Sequence, residues 1–529
     1  MTVPIPEEDF SPHGHMLQAS VPRAPRVSTH EPIAPKTIVD VINFGATGDG
    51  VTIDSPSINR AIEAAAALGG GTIYFPAGVY ACYSIHLKSK VSLYLDGGAV
   101  ILAAETKGAA PSFGYDLAES NGPWESYQDF GHNHWQNSLL WGENLHDLSI
   151  CGSGRIWGKG LSKGRGDGPN AATPGVANKA IALKSCRNVL LRDFSILQGG
   201  HFGILATGVN NLTVDNITID TNRDGIDIDC CQNVRVLNCV VNAPWDDGIC
   251  LKSSYGLGQA IATENVTISN CTVSGSYELG AVLDGTFRRF PADFPVARQS
   301  RIKLGTESNG AFRNITISNC IVDGCKGLAL ESVDGALLED IVITNVSMRD
   351  VTDTPIFLRL GRRMRAPEGT PVGCLKRVII SNVVSYNCIA QLPIMMMGVP
   401  GYPVEDIRLN NIYLHHKGGV GHELAQAFPP EQEDLYPEAN RFGPIPAQGA
   451  FIRHAKNIVL NHVDIASDES DLRPGFVLDD VSNAEFSEIK IDRTTGSPMF
   501  KLTHITDLRI LSSHGIPDAE LVRTEKGIL

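Results

Sequence analysis

The chain has 529 residues, 43% of them hydrophobic and 7% aromatic, and a formal net charge of −14 at pH 7. That acidic balance argues against a general nucleic-acid binder, while a local basic cleft for an anionic ligand stays compatible with it. No apolar run approaches the length a membrane-crossing helix needs, so no membrane partner is expected.

Residues 1–36 are rich in proline and polar groups and read as an extension. They lack the apolar stretch of a signal peptide. The protein is therefore expected to be secreted or periplasmic with its signal absent from this chain, with a cytoplasmic location as the alternative. From Thr37 the pattern changes. A strand runs into the turn-rich FGATGDG, and Ser55–Ala67 follows with Ile58, Ile62 and Ala66 on one helical face. A single amphipathic helix ahead of a repeat suits an end cap. The glycines here lack the companions of a phosphate loop.

Residues 104–178 are irregular and aromatic, with Phe113, Tyr115, Trp124, Trp135 and Trp141 among them. Rings on loops serve sugar stacking or ordinary packing equally well. His132 and His134 have no partners at metal-site spacing, and no metal or cofactor is expected.

From about residue 142 a repeat dominates, in copies such as CRNVLLRDFSI, VNNLTVDNITI, CQNVRVLNCVV, TENVTISNCTV and LEDIVITNVSM. Alternating β-branched residues indicate strands. Asparagine tolerates the left-handed backbone of a tight corner, and stacked asparagines can hydrogen-bond between coils. The fold class expected is all-β. The architecture is a right-handed parallel β-helix of about ten coils, one domain over 37–515, with long insertions near 104–178, 286–300 and 415–450 and a tail at 516–529. Cys239, Cys271 and Cys320 each follow the repeat's asparagine, as small residues of a solenoid interior would, so the twelve cysteines are expected as buried thiols. The stretch PIFLRLGRRMRAPEG, with Arg359, Arg362, Arg363 and Arg365, reads either as an anion-recognition loop or as a solvated basic one.

The acids sit within this repeat. Twelve residues beyond the anchors Val189, Leu212, Val234 and Val266 lie His201, Asp224, Asp246 and Glu278. On that count these four share one register of successive coils, and Asp247 neighbours Asp246 along the strand. Crowded carboxylates raise one another's pKa, so one acid can stay protonated for general-acid work.

Together FGATGDG, N-R-D-G-I-D and W-D-D-G-I-C-L-K-S resemble glycoside hydrolase family 28, the polygalacturonase-like enzymes, over most of residues 37–500. The resemblance implies inverting hydrolysis of α-linked galacturonic acid or rhamnogalacturonan, with Asp247 as general acid and Asp224 and Asp246 activating the water. The family's G-H-G is absent, and Glu278 stands at its counted position. Arg301–Ile302–Lys303 matches the family's R-I-K, but its continuation, LGTESNG, resembles a segment one coil earlier. The coil where R-I-K belongs reads Leu328–Ala329–Leu330–Glu331. Either Arg301 and Lys303 have taken over the sugar-carboxylate site through the 286–300 insertion, the reading preferred here, or that site is rebuilt. The candidate substrate-binding residues are His201, Asn222, Arg223, Lys252, Glu278, Arg301, Lys303, Glu307 and Glu331. The leading expectation is an exo-acting hydrolase of pectic or related acidic oligosaccharides, since long loops would close a groove into a pocket. A rhamnogalacturonan or rhamnoside hydrolase, a β-helix lyase or epimerase, and a non-catalytic carbohydrate-binding solenoid are the alternatives. The partner is an oligosaccharide or polysaccharide, and the oligomeric state is left open.

Overall fold

The structure, a computed structural model, describes residues 37–106, 114–164, 170–389 and 392–529. The N-terminal extension, Phe113 and parts of the 104–178 insertion lie outside the described residues. From Thr37 the chain forms one unit, a solenoid of parallel strands. One ladder starts at Ile38–Asp40 and passes through Arg187–Arg192, Asn210–Asp215, Gln232–Leu237 and Thr263–Ser269 to Phe500–Leu511. A second carries Lys179–Lys184, Phe202–Thr207, Asp224–Asp229, Ile249–Ser253, Ile302–Ser308, Leu328–Ser332 and Ile356–Leu360. Coils on Gly71–Phe75, Val91–Leu95 and His146–Cys151 precede the asparagine repeats, and Phe476–Ile491 and Phe500–Leu511 end the parallel stack, so the helix exceeds ten coils.

The asparagines do what their chemistry allows. Asn188, Asn211, Asn233, Asn265 and Asn314 all have φ between 55° and 62°. Their amides link coil to coil: Asn211 Nδ2 donates to Asn188 Oδ1 at 2.9 Å and Asn314 Nδ2 to Asn265 Oδ1 at 2.7 Å. Inside the corner the anchors Val189, Leu212, Val234, Val266 and Ile315 stack in register as one apolar column. All twelve cysteines are free thiols, and Cys239, Cys271 and Cys320 are buried. The helix Ser55–Ala67 buries Ile58, Ala61, Ile62 and Ala65 against the first coils.

The two ladders differ in how they meet solvent. Strands of the first alternate buried and exposed positions, as a sheet with one wet face must. Strands of the second are buried at nearly every position, throughout in Asp224–Asp229 and Ile302–Ser308 and up to Lys184 in Lys179–Lys184. Inserted segments cover their outer face. Ala329, Phe357, Met395, Met397 and Phe451 point outward there and pack with Ala439, Phe442, Ile445 and Ala447 of the 415–450 insertion into a second apolar core. The C-terminal stretch expected as a tail forms instead the strand Ala519–Ile528, antiparallel to Phe500–Leu511.

Ile341 and Val342 are neighbours on one strand of the first ladder, the former fully buried and the latter 38% exposed. Ile341→Ala is expected to cost about 2–5 kcal/mol. Val342→Ala should stay within about 0.5 kcal/mol. Urea unfolding of the two variants checks the assignment of inner and outer faces.

Candidate active site

A cavity of about 350 Å³ opens over the start of the second ladder's strands, at the small end of the range for ligand pockets. Asp224, Asp246 and Asp247 line it, with carboxylate oxygens within 4.8 Å of one another. That is closer than the roughly 6.5–9.5 Å expected for an inverting pair.

Their register differs from the count of twelve. Phe202, not His201, lies opposite Asp224, and Ile226 pairs with Ile249, so Gly225 N–H donates to Asp247 O at 3.0 Å. The turn Ala243–Gly248 holds one residue more than the turn before Gly225. Asp247 thereby takes the place above Asp224, and Asp246 moves to the pocket rim. Glu278 leaves the ladder altogether: it lies in the connection between Thr272–Ser274 and Ile302–Ser308, ahead of the 286–300 insertion, and Arg288 Nε donates to it at 2.9 Å. The next strand of the ladder instead begins at Ile302, which pairs with Ile249, so Ser300 stands opposite Asp247 and Arg301 opposite Gly248.

The three acids sit in unlike fields. Asp247 accepts from Arg301 Nε at 2.9 Å and lies 3.2 Å from Lys303 Nζ. Lys303 and Arg301, outweighing burial, hold its carboxyl below the usual range. These neighbours favour the ionised form of Asp247. Asp224 is buried with Asp246 and Asp227 close by, and burial followed by those two charges holds its pKa well above the ordinary value. Asp246 is the most open of the three, at 18% side-chain exposure, and is clamped by Arg223 at 2.5 and 3.0 Å.

The other expected residues divide. His201 is buried, stacked on Phe202 at 4.1 Å, with Nε2 3.7 Å from Asp224 Oδ2. Burial, then the Arg223 charge, keeps its pKa low and the ring neutral. Asn222 is buried, and its amide has no hydrogen-bond partner among the described residues. Lys252 lies 3.2 Å from Asp227 and 3.3 Å from Glu307, and Glu307 also accepts from Arg365 at 2.7 Å. Glu331 is fully buried, 3.6 Å from Lys303 and 3.9 Å from Arg301, and burial raises it to about 7.

Arg301 and Lys303 lie buried behind the pocket lining, against Asp247, and their charges are committed. Arg301 donates to Glu438 at 2.8 Å besides Asp247, and Lys303 bridges Asp247 and Glu331. The basic stretch is committed too. Arg359 donates to the carbonyls of Gly398 and Glu431, Arg362 lies 3.3 Å from Glu433, Arg363 clamps Asp334, and Arg365 holds Glu307. It is neither a free anion site nor a solvated loop.

Sequence reasoning missed Asp227, Lys326, Tyr436, Glu438 and Arg441. Asp227 had a signal, a charged residue at an outward position of N-R-D-G-I-D. The last three come from the 415–450 insertion, whose irregular sequence shows no register. Asp129, His132 and Glu307 also gather ligand atoms within 4.8 Å, but Lys252 Nζ sits 2.9 Å from His132 Nε2 and Arg365 on Glu307, filling the space a cation would take.

Comparison with known proteins places this geometry. A family profile described as right-handed β-helix region matches residues 172–290, and one described as rhamnogalacturonase A/epimerase, pectate lyase-like matches residues 38–135. A probable polygalacturonase of Vitis vinifera is 26% identical over 306 residues, covering 52% of this chain and 59% of that protein. The chain spans about 60% of the length of the curated relatives it matches first. The solved family 28 exopolygalacturonase of Yersinia enterocolitica superposes with a TM-score of 0.63 at 18% identity, covering 85% of this chain and 79% of that one. A short stretch, 8% of this chain and 7% of the other protein, is 61% identical over 41 residues to the mannuronan C5-epimerase AlgE4 of Azotobacter vinelandii.

Glu331 gives the site a pH signature. Its folded pKa of about 7 exceeds the ordinary 4.5, so its contribution to stability is complete below about 4.5 and is lost as pH rises through 7. Replacing it with glutamine removes that loss. Between pH 5 and 8 the wild type should lose stability relative to Glu331→Gln, measured by urea unfolding at each pH. A difference that does not change with pH would contradict the assignment.

Proposed function

We propose that this polygalacturonase-like chain is a glycoside hydrolase that removes terminal uronic acid residues from pectic or related acidic oligosaccharides. The observation that carries the reading is the set of three carboxylates in one cavity, held in opposite protonation tendencies by their neighbours. Asp224 keeps a proton because it is buried beside two other acids. That proton passes to Asp246, within 4.8 Å and nearer the opening, and from it to the glycosidic oxygen as the bond to the anomeric carbon breaks, leaving Asp224 ionised. Asp247 stays ionised and takes the proton of the attacking water. Both its oxygens face cations, which makes it a poor nucleophile toward carbon and favours direct attack by water. The close spacing of the carboxylates leaves the anomeric outcome to the placement of that water.

The walls support chain-end attack. Arg365 joins Asp129 at 3.2 Å across the pocket from the 104–178 segment, and Glu438 of the 415–450 insertion closes the other side on Arg301 and Lys326. A polymer running through the cavity would have to break these pairs.

Leaving-group dependence separates the roles. Asp246→Asn should lose about a hundredfold or more on a natural oligosaccharide and much less on an aryl glycoside whose leaving group needs no proton. Asp247→Asn should lose about as much on both. The reverse pattern would return the acid role to Asp247. The first-formed anomer, read by NMR, tests inversion. An unsaturated product with ultraviolet absorbance, abolished by a chelator, would replace hydrolysis with the lyase chemistry that the epimerase-like stretch admits.

A further inference from the structure

The charges of the cavity are paired off, with one exception. Arg223 is held by Asp246 at 2.5 Å, and Lys252 by Asp227 and Glu307 at 3.2 and 3.3 Å. Lys326 is held by Glu438 at 2.6 Å and Asp353 at 3.5 Å. Behind them Arg301 and Lys303 are shared among Asp247, Glu331 and Glu438. A cation already matched by a protein carboxylate offers an incoming anion little net attraction. Among the described residues, Arg441 is the pocket-lining cation with no carboxylate partner.

Its placement is built. The short turn Ala439–Phe442 buries its two ends, Ala439 and Phe442, in the second apolar core, where Phe442 packs edge-on to Phe357. The two residues between them, Asn440 and Arg441, face the cavity. Gln432 Nε2 donates to the Arg441 carbonyl at 3.1 Å and ties the turn to the rest of the insertion. The guanidinium stands over the Tyr436 ring, 5.7 Å from its centroid, and the Tyr436 hydroxyl accepts from Lys303 at 3.2 Å. The aromatic ring therefore spaces Arg441 from the Arg301–Lys303 cluster, with its fork of donors unspent.

We infer that Arg441 is the residue that recognises the carboxylate of a terminal uronic acid, in place of Arg301 and Lys303, whose charges Asp247, Glu331 and Glu438 consume. The inference rests on the proposed acidic-sugar substrate and assigns its specificity to the 415–450 insertion rather than to the β-helix. A planar guanidinium suits this task because two parallel N–H donors meet both carboxylate oxygens.

The test measures two things on the full chain, as wild type, Arg441→Gln and Arg441→Lys. One is calorimetric binding of galacturonic acid against galactose. The other is kcat/KM on an acidic oligogalacturonide against its methyl ester. The wild type should prefer the acid in both assays, and that preference should fall tenfold or more in Arg441→Gln, through KM rather than kcat, and return in part in Arg441→Lys. A preference that survives Arg441→Gln, or a wild type that does not distinguish galacturonic acid from galactose, overturns the inference. Acid-selective binding that depends on Arg441 in a protein that cleaves neither substrate would uphold the inference and sink the hydrolase reading. Cleavage with the same acid-to-ester ratio in wild type and Arg441→Gln would do the opposite.

Discussion

Parallel stacking puts equivalent residues of successive coils about 4.8 Å apart, and nothing in the backbone can widen that spacing. Once Asp224 and Asp247 occupy facing positions of adjacent coils, their carboxylates are neighbours whatever else the sequence does. The rest of the pocket answers that constraint. Arg301 and Lys303 come from the coil above and stabilise the charge on Asp247, while Arg223, on the turn before Asp224, steadies Asp246. Asp224, buried and with its cation Arg223 at 3.9 Å, farther than the two on Asp247, is the acid whose neutral form its surroundings favour most. The unlike fields around three chemically identical side chains are thus a property of the coil on which each cation is placed.

Much of the fold was legible because it is periodic. Each asparagine corner, each β-branched anchor and the helix Ser55–Ala67 follow from local chemistry repeated at a near-constant interval. The acids themselves were legible as Asp-Gly-Ile strings, but their relative positions were not. A count of twelve from the anchor holds only while every turn has the same length, and the extra residue in Ala243–Gly248 breaks it just at the site. The same count placed Glu278 in the ladder, where a long connection had already carried it to the surface beside Arg288. Tyr436, Glu438 and Arg441 were illegible for a different reason. They reach the pocket through the docking of an irregular segment on the outer sheet face, and such docking depends on shape rather than on register.

That outer apolar core also fixes how the site behaves in time. Phe442 and Ala439 are as buried as residues inside the solenoid, so the wall they support is part of the packed structure rather than a hinged cover. The cavity is consequently formed before any sugar arrives. Binding then costs little ordering of the protein, and selectivity is set by which groups are already aimed into the space.

The C-terminal strand Ala519–Ile528 runs against the direction of every strand before it and carries Glu520, Arg523, Glu525 and Lys526 on exposed positions. A stack of parallel coils has no intrinsic reason to stop, since each new coil offers the next an identical edge. Reversal of direction and a row of charges end the series here, as the helix Ser55–Ala67 begins it. The length of the solenoid is therefore written in its two terminators and not in the repeat.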